Sequence, residues 1–89
     1  MLHLPTILTH PHALDTALLL KAKAAMQTQS VVVDAAALTQ FDSSALAVLL
    51  AVRREALSKG KTFAVHGLPA RLRQLAGLYG VSELVPAEI

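Results

Sequence analysis

The sequence contains no cysteine, and only 3% of its 89 residues are aromatic. The lack of cysteine excludes disulfides, thiolate metal ligands and thiol nucleophiles. The lack of aromatic residues argues against a protein that reads nucleic acids or sugars, because such proteins usually stack their ligands on aromatic side chains. We therefore expect no nucleic acid among the partners of this chain.

Charged residues and long apolar runs are also scarce. Eight lysines and arginines against six acidic residues give a net charge of +2. The basic residues are scattered in pairs and do not form the stripe that follows a phosphate backbone. The longest apolar run, residues 45–52, is far shorter than the roughly 20 residues that cross a bilayer. Because the N-terminus also lacks the pattern of a signal peptide, we expect a cytoplasmic protein.

Aliphatic residues dominate what is present, since 54% of the residues are hydrophobic and most of these are Ala, Leu or Val. The length predicts one domain, residues 1–89. Periodicity and turn residues predict alternating strands and helices, at residues 4–8 (strand), 13–27 (helix), 30–34 (strand), 42–59 (helix), 61–66 (strand) and 70–79 (helix). This alternation is typical of an α/β fold with parallel strands.

Two of the predicted elements have a sequence pattern that predicts which of their faces are buried. Residues 31–33 are three valines in a row, which is typical of a strand that is buried on both faces. The first helix has Leu14, Leu18, Ala22 and Met26 at helical spacing, so these residues are predicted to form its apolar face.

Motifs for catalysis or ligand binding are missing from the sequence. The four glycines stand apart, so none forms a phosphate-binding loop. His10 and His12 have a spacing that could share a metal ion, but a solvated polar turn is the preferred interpretation. Ser43 and Ser44 lack the flanking glycines of a hydrolase nucleophile. We therefore expect neither an enzyme nor a bound metal or cofactor.

The second helix has more apolar surface than one sheet can cover. Its apolar residues span an arc of roughly 200° when successive residues turn by about 100°. A helix that lies on a sheet needs an apolar stripe of only about 100°. Two interpretations remain open. The excess packs against a neighbouring helix of the same domain, or it binds a partner protein, with Arg53 and Arg54 at the rim.

Two segments resemble the STAS domain family, named for sulfate transporters and anti-sigma factor antagonists. Residues 31–34 (Val-Val-Val-Asp) precede residues 41–50, which begin Phe-Asp-Ser-Ser-Ala-Leu. STAS domains have a hydrophobic strand that ends in Asp, followed by Asp-Ser-Ser/Thr-Gly-Leu at the start of a helix. The resemblance covers residues 4–85 and implies a STAS-type fold, with a central, mostly parallel β-sheet and three helices. STAS domains usually begin with two strands, and residues 1–9 offer one, so the expected fold is shortened at its N-terminus.

Within this family the chain is most similar to the MlaB-type domains, since residues 75–81 (Leu-Ala-Gly-Leu-Tyr-Gly-Val) resemble the end of those domains. The resemblance implies a non-catalytic, cytoplasmic subunit of an ABC transporter that moves phospholipids and maintains outer-membrane lipid asymmetry. Its partner would be the MlaF-like ATPase subunit and, indirectly, the membrane permease. The chain would then lie at the periphery of the inner membrane.

The resemblance also suggests residues that bind the partner. They lie on the motif loop, the second helix and the third helix: Asp42, Ser43, Ser44, Val48, Val52, Arg53, Arg54, Arg71, Leu78 and Tyr79. Tyr79 is equally consistent with packing in the core. Because a missing strand leaves a sheet edge open, we expect the isolated domain to dimerise through this edge or through the second-helix face.

An anti-anti-sigma factor is the alternative function that the same motif implies. In such proteins the second serine of the motif, here Ser44, is phosphorylated by an anti-sigma factor that is also a kinase. A phosphate at a helix N-terminus would meet free N–H groups and the positive end of the helix dipole. Ser43 and Ser44 are also consistent with a role limited to helix capping.

Overall fold

A computed structural model of the chain describes residues 1–87, in which strands and helices alternate. The elements in chain order are β1 (Leu2–His3), β2 (Ile7–Leu8), α1 (His10–Ala25), β3 (Ser30–Asp34), β4 (Gln40–Phe41), α2 (Ser44–Ser58), β5 (Thr62–His66), α3 (Ala70–Leu78) and a 3₁₀ turn (Ser82–Leu84). The last two residues of the chain lie outside the described part. Every strand pairing is parallel, so the predicted α/β fold is confirmed for these residues.

The main sheet has three strands in the order β1-β3-β5. Val31 pairs with Phe63 and Val33 pairs with Val65, and all four side chains are buried. Val32, which points to the other face, is only half-buried. The expectation of a strand buried on both faces is wrong. From β1 to β3 to β5, each strand is added on the same side of the strand before it. Right-handed crossovers between such strands place the connecting helices on a single face of the sheet.

The N-terminal segment forms two short strands, and the prediction of one strand over residues 4–8 is wrong. β1 pairs with β3, whereas β2 pairs with β4 in a separate two-stranded ladder. Pro5 lies between the two strands and has no N–H group to donate to a ladder. The carbonyl of Thr6 accepts the N–H groups of Thr39 at 2.8 Å and Gln40 at 3.0 Å, which turns the chain towards β4.

Helix α1 begins earlier and buries a different face than the sequence predicts. His10 and His12, for which a solvated polar turn is the interpretation that the sequence favours, lie with Pro11 in the first turn of α1. Proline is tolerated there because the first N–H groups have no partner inside the helix. The residues predicted to form the apolar face are exposed instead: Leu14, Leu18, Ala22 and Met26. The face that packs inwards consists mainly of small residues, with Leu20 as the exception: Ala13, Ala17, Leu20 and Ala24. Small side chains allow α1 to approach α2 closely.

Helix α2 lies at the centre of the helical layer, with α1 packed along it and α3 also in contact. It buries six residues: Ala45, Leu46, Val48, Leu49, Val52 and Ala56. The first interpretation of its wide apolar arc is therefore correct for most of the arc. Val48 is 2% exposed and Val52 is fully buried, so their assignment to a partner-binding surface is wrong. A partner cannot reach either side chain while the domain is folded.

Candidate partner-binding site

The carboxylate of Asp42 joins the N-termini of two helices. Its Oδ1 atom accepts the backbone N–H of Ser44 at 2.8 Å, and its Oδ2 atom accepts the backbone N–H of His10 at 3.1 Å. Ser44 is the first residue of α2, and His10 is the first residue of α1. The β2–β4 pairing places Leu8 opposite Phe41, so the helices that follow these strands start side by side. One side chain thus satisfies an otherwise unpaired N–H group in each helix.

The surroundings of Asp42 keep its carboxyl group ionised. Its pKa is lowered, chiefly because the backbone N–H of Ser44 donates a hydrogen bond to the carboxylate. Partial desolvation opposes this effect, while the hydroxyl of Ser44, the N–H of His10 and the charge on His10 add to it. Two helix N-termini, each with a partial positive charge, favour an anion at this position. The motif loop therefore presents a fixed negative charge.

The two serines of the motif differ in their surroundings. Ser43 is exposed, and its side chain makes no capping hydrogen bond. Ser44 is half-buried, and its backbone N–H donates to the Asp42 carboxylate. The capping role that the sequence suggests for Ser43 and Ser44 thus belongs to Asp42. Of the two hydroxyls, that of Ser43 is the more accessible to a modifying enzyme.

Arg71 connects the motif loop to α3. Its guanidinium carbon lies 5.6 Å from the centroid of the Phe41 ring, within the range of a cation–π contact. Phe41 packs against the core, so the contact ties the first turn of α3 to the residue before the motif. Of the predicted partner-binding residues, Asp42, Ser43, Ser44 and Arg71 therefore lie near one end of α2.

A groove lies further along α2, beside the 3₁₀ turn. It has a volume of about 450 Å³, and its lining is apolar apart from two arginines and a serine: Leu50, Arg53, Arg54, Leu57, Ser58 and Leu84. Within residues 1–87 the one close contact between a basic and an acidic side chain joins His3 and Asp34, so neither arginine has an acidic partner there. The groove brings together Arg53 and Arg54, as predicted, and adds Leu57 and Leu84, which the sequence analysis missed.

The predicted residues do not form one continuous site. Ser44 and Arg53 are nine residues apart on α2, which corresponds to about 14 Å along a helix. Leu78 and Tyr79 are exposed at the end of α3 and do not line the groove. Tyr79 is therefore not a core residue. The exposed leucines of α1 form another surface that the sequence analysis missed, because it assigned them to the core.

Comparison with known proteins supports one family. The family model described as "Mlab, STAS domain" matches residues 1–86. No curated protein matches the chain. Among residues 1–87, none of the helices has the length and apolar character needed to cross a membrane.

Proposed function

Because the chain belongs to the MlaB-type STAS domain family, we propose that it binds and supports the ATPase subunit of an ABC transporter for phospholipids. It serves this transporter without catalysing a reaction, as is general for STAS domains. The ATPase holds it at the cytoplasmic side of the inner membrane, where the permease is an indirect partner. Outer-membrane lipid asymmetry is the process that the transporter maintains.

The groove between α2 and the 3₁₀ turn is the observation that carries this proposal. Leu50, Leu57 and Leu84 form its apolar lining, and Arg53 and Arg54 offer guanidinium groups without an acidic partner among residues 1–87. Arginine beside a desolvated apolar pocket is typical of residues that dominate binding energy, and guanidinium groups bind carboxylates with two parallel hydrogen bonds. The groove therefore suits an ATPase segment that carries aliphatic residues next to Asp or Glu.

The motif loop contributes by fixing the position of α2. Asp42 holds the start of α2 against the start of α1, and Arg71 holds α3 against Phe41. The first contact restrains α2, which supplies most of the groove lining, and the second restrains α3, which packs against α2. A partner then meets a surface that needs little ordering on binding, which raises affinity.

Co-expression with an MlaF-type ATPase from the same genome tests the function. We expect a stable complex that survives purification. Arg53→Glu combined with Arg54→Glu should weaken it by roughly 100-fold, because the reversed charges would face the acidic groups of the ATPase. Arg73→Glu combined with Lys59→Glu is the matched control, since neither residue lines the groove. Failure to form any complex overturns the proposed function, whereas equal affinities of both double variants overturn only the docking site.

The anti-anti-sigma function remains the second candidate, because the exposed hydroxyl of Ser43 lies at the start of α2. At Ser44 a phosphate would carry its negative charge next to the Asp42 carboxylate, which already occupies the N–H of Ser44. Incubation with ATP and a cognate anti-sigma kinase should add one phosphate if this candidate holds. Peptide mass spectrometry would place it on Ser43 or Ser44, and no phosphate on either serine contradicts this function.

A further inference from the structure

The side of α1 that points away from α2 is largely apolar, and no element among residues 1–87 covers it. We call this surface the outer face of α1, formed by Leu14, Leu18, Leu19, Ala22 and Met26. Leu14 is 70% exposed, Leu18 56%, Leu19 55% and Met26 82%. These fractions correspond to on the order of 500 Å² of apolar surface, close to the largest patches found on monomeric proteins, which are often functional.

The composition of α1 does not suit a lipid surface. Helices that lie on membranes have a strongly charged face rich in lysine and arginine and an apolar face with Trp, Phe or Leu. The face of α1 opposite its outer face is packed against α2 and holds Ala17, Leu20 and Ala24. Asp15 is also exposed beside the leucines and would be repelled by anionic headgroups. A protein surface is the better match.

The charged residues beside the outer face of one copy can pair with the same residues of a second copy. Asp15 and Lys23 are both exposed, and neither takes part in an ion pair within residues 1–87. They lie four residues before and four residues after Leu19. When two copies of α1 pack antiparallel about a two-fold axis near Leu19, Asp15 of each copy lies opposite Lys23 of the other. The same arrangement brings Leu18 and Leu19 of the two copies together at the two-fold axis.

We propose that two copies of this chain associate through the outer faces of α1, antiparallel and with two-fold symmetry. The buried surface would total on the order of 1,000 Å², which is near the lower limit for a specific interface. The dimer is therefore weak, with a dissociation constant on the order of 10–100 µM. This surface replaces both expected dimer contacts. The N-terminal segment supplies β1 and β2, so the missing strand that was expected to leave an open sheet edge is present, and α1 covers most of the second-helix face. A dimer through the outer faces of α1 also leaves the α2 groove free, so dimerisation does not depend on the proposed function.

Analytical ultracentrifugation of the full chain tests the dimer. Between about 1 and 500 µM, the average mass should rise from the 9.4 kDa of one chain towards twice that value. Leu18→Glu should keep the protein monomeric across this range, because it places a charge at the centre of the apolar contact. Leu78→Glu is the matched control, since Leu78 is an exposed leucine at the end of α3, away from the outer face of α1 and the α2 groove. It should leave the self-association unchanged, and circular dichroism should show the same helicity for both variants.

A charge exchange tests the antiparallel arrangement. Asp15→Lys and Lys23→Asp should each weaken the dimer by roughly three- to tenfold. The variant with both changes should recover most of the original affinity, because each pair is restored with its signs reversed. A wild-type chain that stays monomeric at about 500 µM overturns the dimer. A dimer that survives Leu18→Glu, or a double variant as weak as the single variants, overturns this interface.

Discussion

Helices α1 and α2 are built from similar residues but are buried to very different extents. α1 has 16 residues and buries only Leu20 and Ala24, whereas α2 has 15 residues and buries six. The reason is their position. α2 has the sheet beneath it, α1 on one side and α3 in contact, whereas α1 lies at the margin of the helical layer.

The comparison shows that apolar content and burial are separate properties of a helix. The leucines of α1 have the same transfer free energy as those of α2, but no element among residues 1–87 covers them. A helix normally buries its apolar stripe and exposes its polar residues. α1 has apolar side chains on its outer face as well as on the face packed against α2, and the dimer proposed above would cover the outer face.

The largest predicted effect is the difference in stability between truncating a buried leucine of α2 and truncating an exposed leucine of α1. Leu49 in α2 is fully buried, whereas Leu14 in α1 is 70% exposed. Leu49→Ala should lower the free energy of unfolding by about 2–5 kcal/mol, because it leaves a cavity in the core. Leu14→Ala should change it by less than about 0.5 kcal/mol, as is usual for exposed positions. Urea denaturation at low micromolar concentration measures both values on the monomer.

Equal losses of stability in these two variants would contradict the comparison. Small domains have only about 5–15 kcal/mol of stability. If Leu49→Ala leaves too little folded protein to measure, Leu49→Val removes less volume and serves as the second variant. It should still cost more than Leu14→Val, measured under the same conditions.

The sequence predicted the elements around α2 well. β3, β5 and the C-terminal ends of α2 and α3 lie within one or two residues of their predicted bounds, because each has a dense apolar pattern and a clear stop. Gly60 follows α2 with a φ of 72°, a conformation that glycine adopts without strain. The β2–β4 ladder was missed because each strand has only two residues, too few to show a period of two.

The buried face of α1 could not be predicted from hydrophobicity alone. Leucine ranks above alanine on any transfer scale, so the stripe from Leu14 to Met26 was assigned to the core. Close packing of α1 on α2 selects the alanine face instead, because small side chains shorten the distance between helix axes. That choice depends on tertiary contacts that a single sequence does not display. The capping role of Asp42 was predictable for α2, but its bond to His10 depends on the β2–β4 pairing.

We expect an intermediate effect on stability when Asp42, whose side chain caps both α1 and α2, is replaced. Asp42→Asn should lower the urea midpoint at neutral pH, because the amide has one acceptor oxygen and no charge. The first turn of α1 should lose more protection from hydrogen exchange than that of α2, since α1 is packed on one side only. Equal loss of protection in both first turns would show that the shared cap, and not packing, controls fraying.

The effect of Asp42→Asn on stability should depend on pH. The folded-state pKa of Asp42 is lowered, so its contribution to stability is fully present above the ordinary carboxyl pKa of about 3.9. It is lost as the pH falls through the lower folded-state pKa. The difference in urea midpoint between wild type and Asp42→Asn should therefore be constant near neutral pH and shrink below about pH 4. A difference that grows on acidification would contradict an ionised cap.

The smallest effect concerns the contact that holds α3 near the start of α2. Arg71→Met keeps most of the side-chain volume but removes the charge over the Phe41 ring, and it should cost about 0.5–1 kcal/mol. Arg73→Met is the matched control on the same helix and should be nearly neutral. A double-mutant cycle with Phe41→Leu isolates the pair from the separate effect of each substitution. A coupling energy near zero would mean that packing alone holds α3. The packing of α3 against α2 would then be independent of the motif loop.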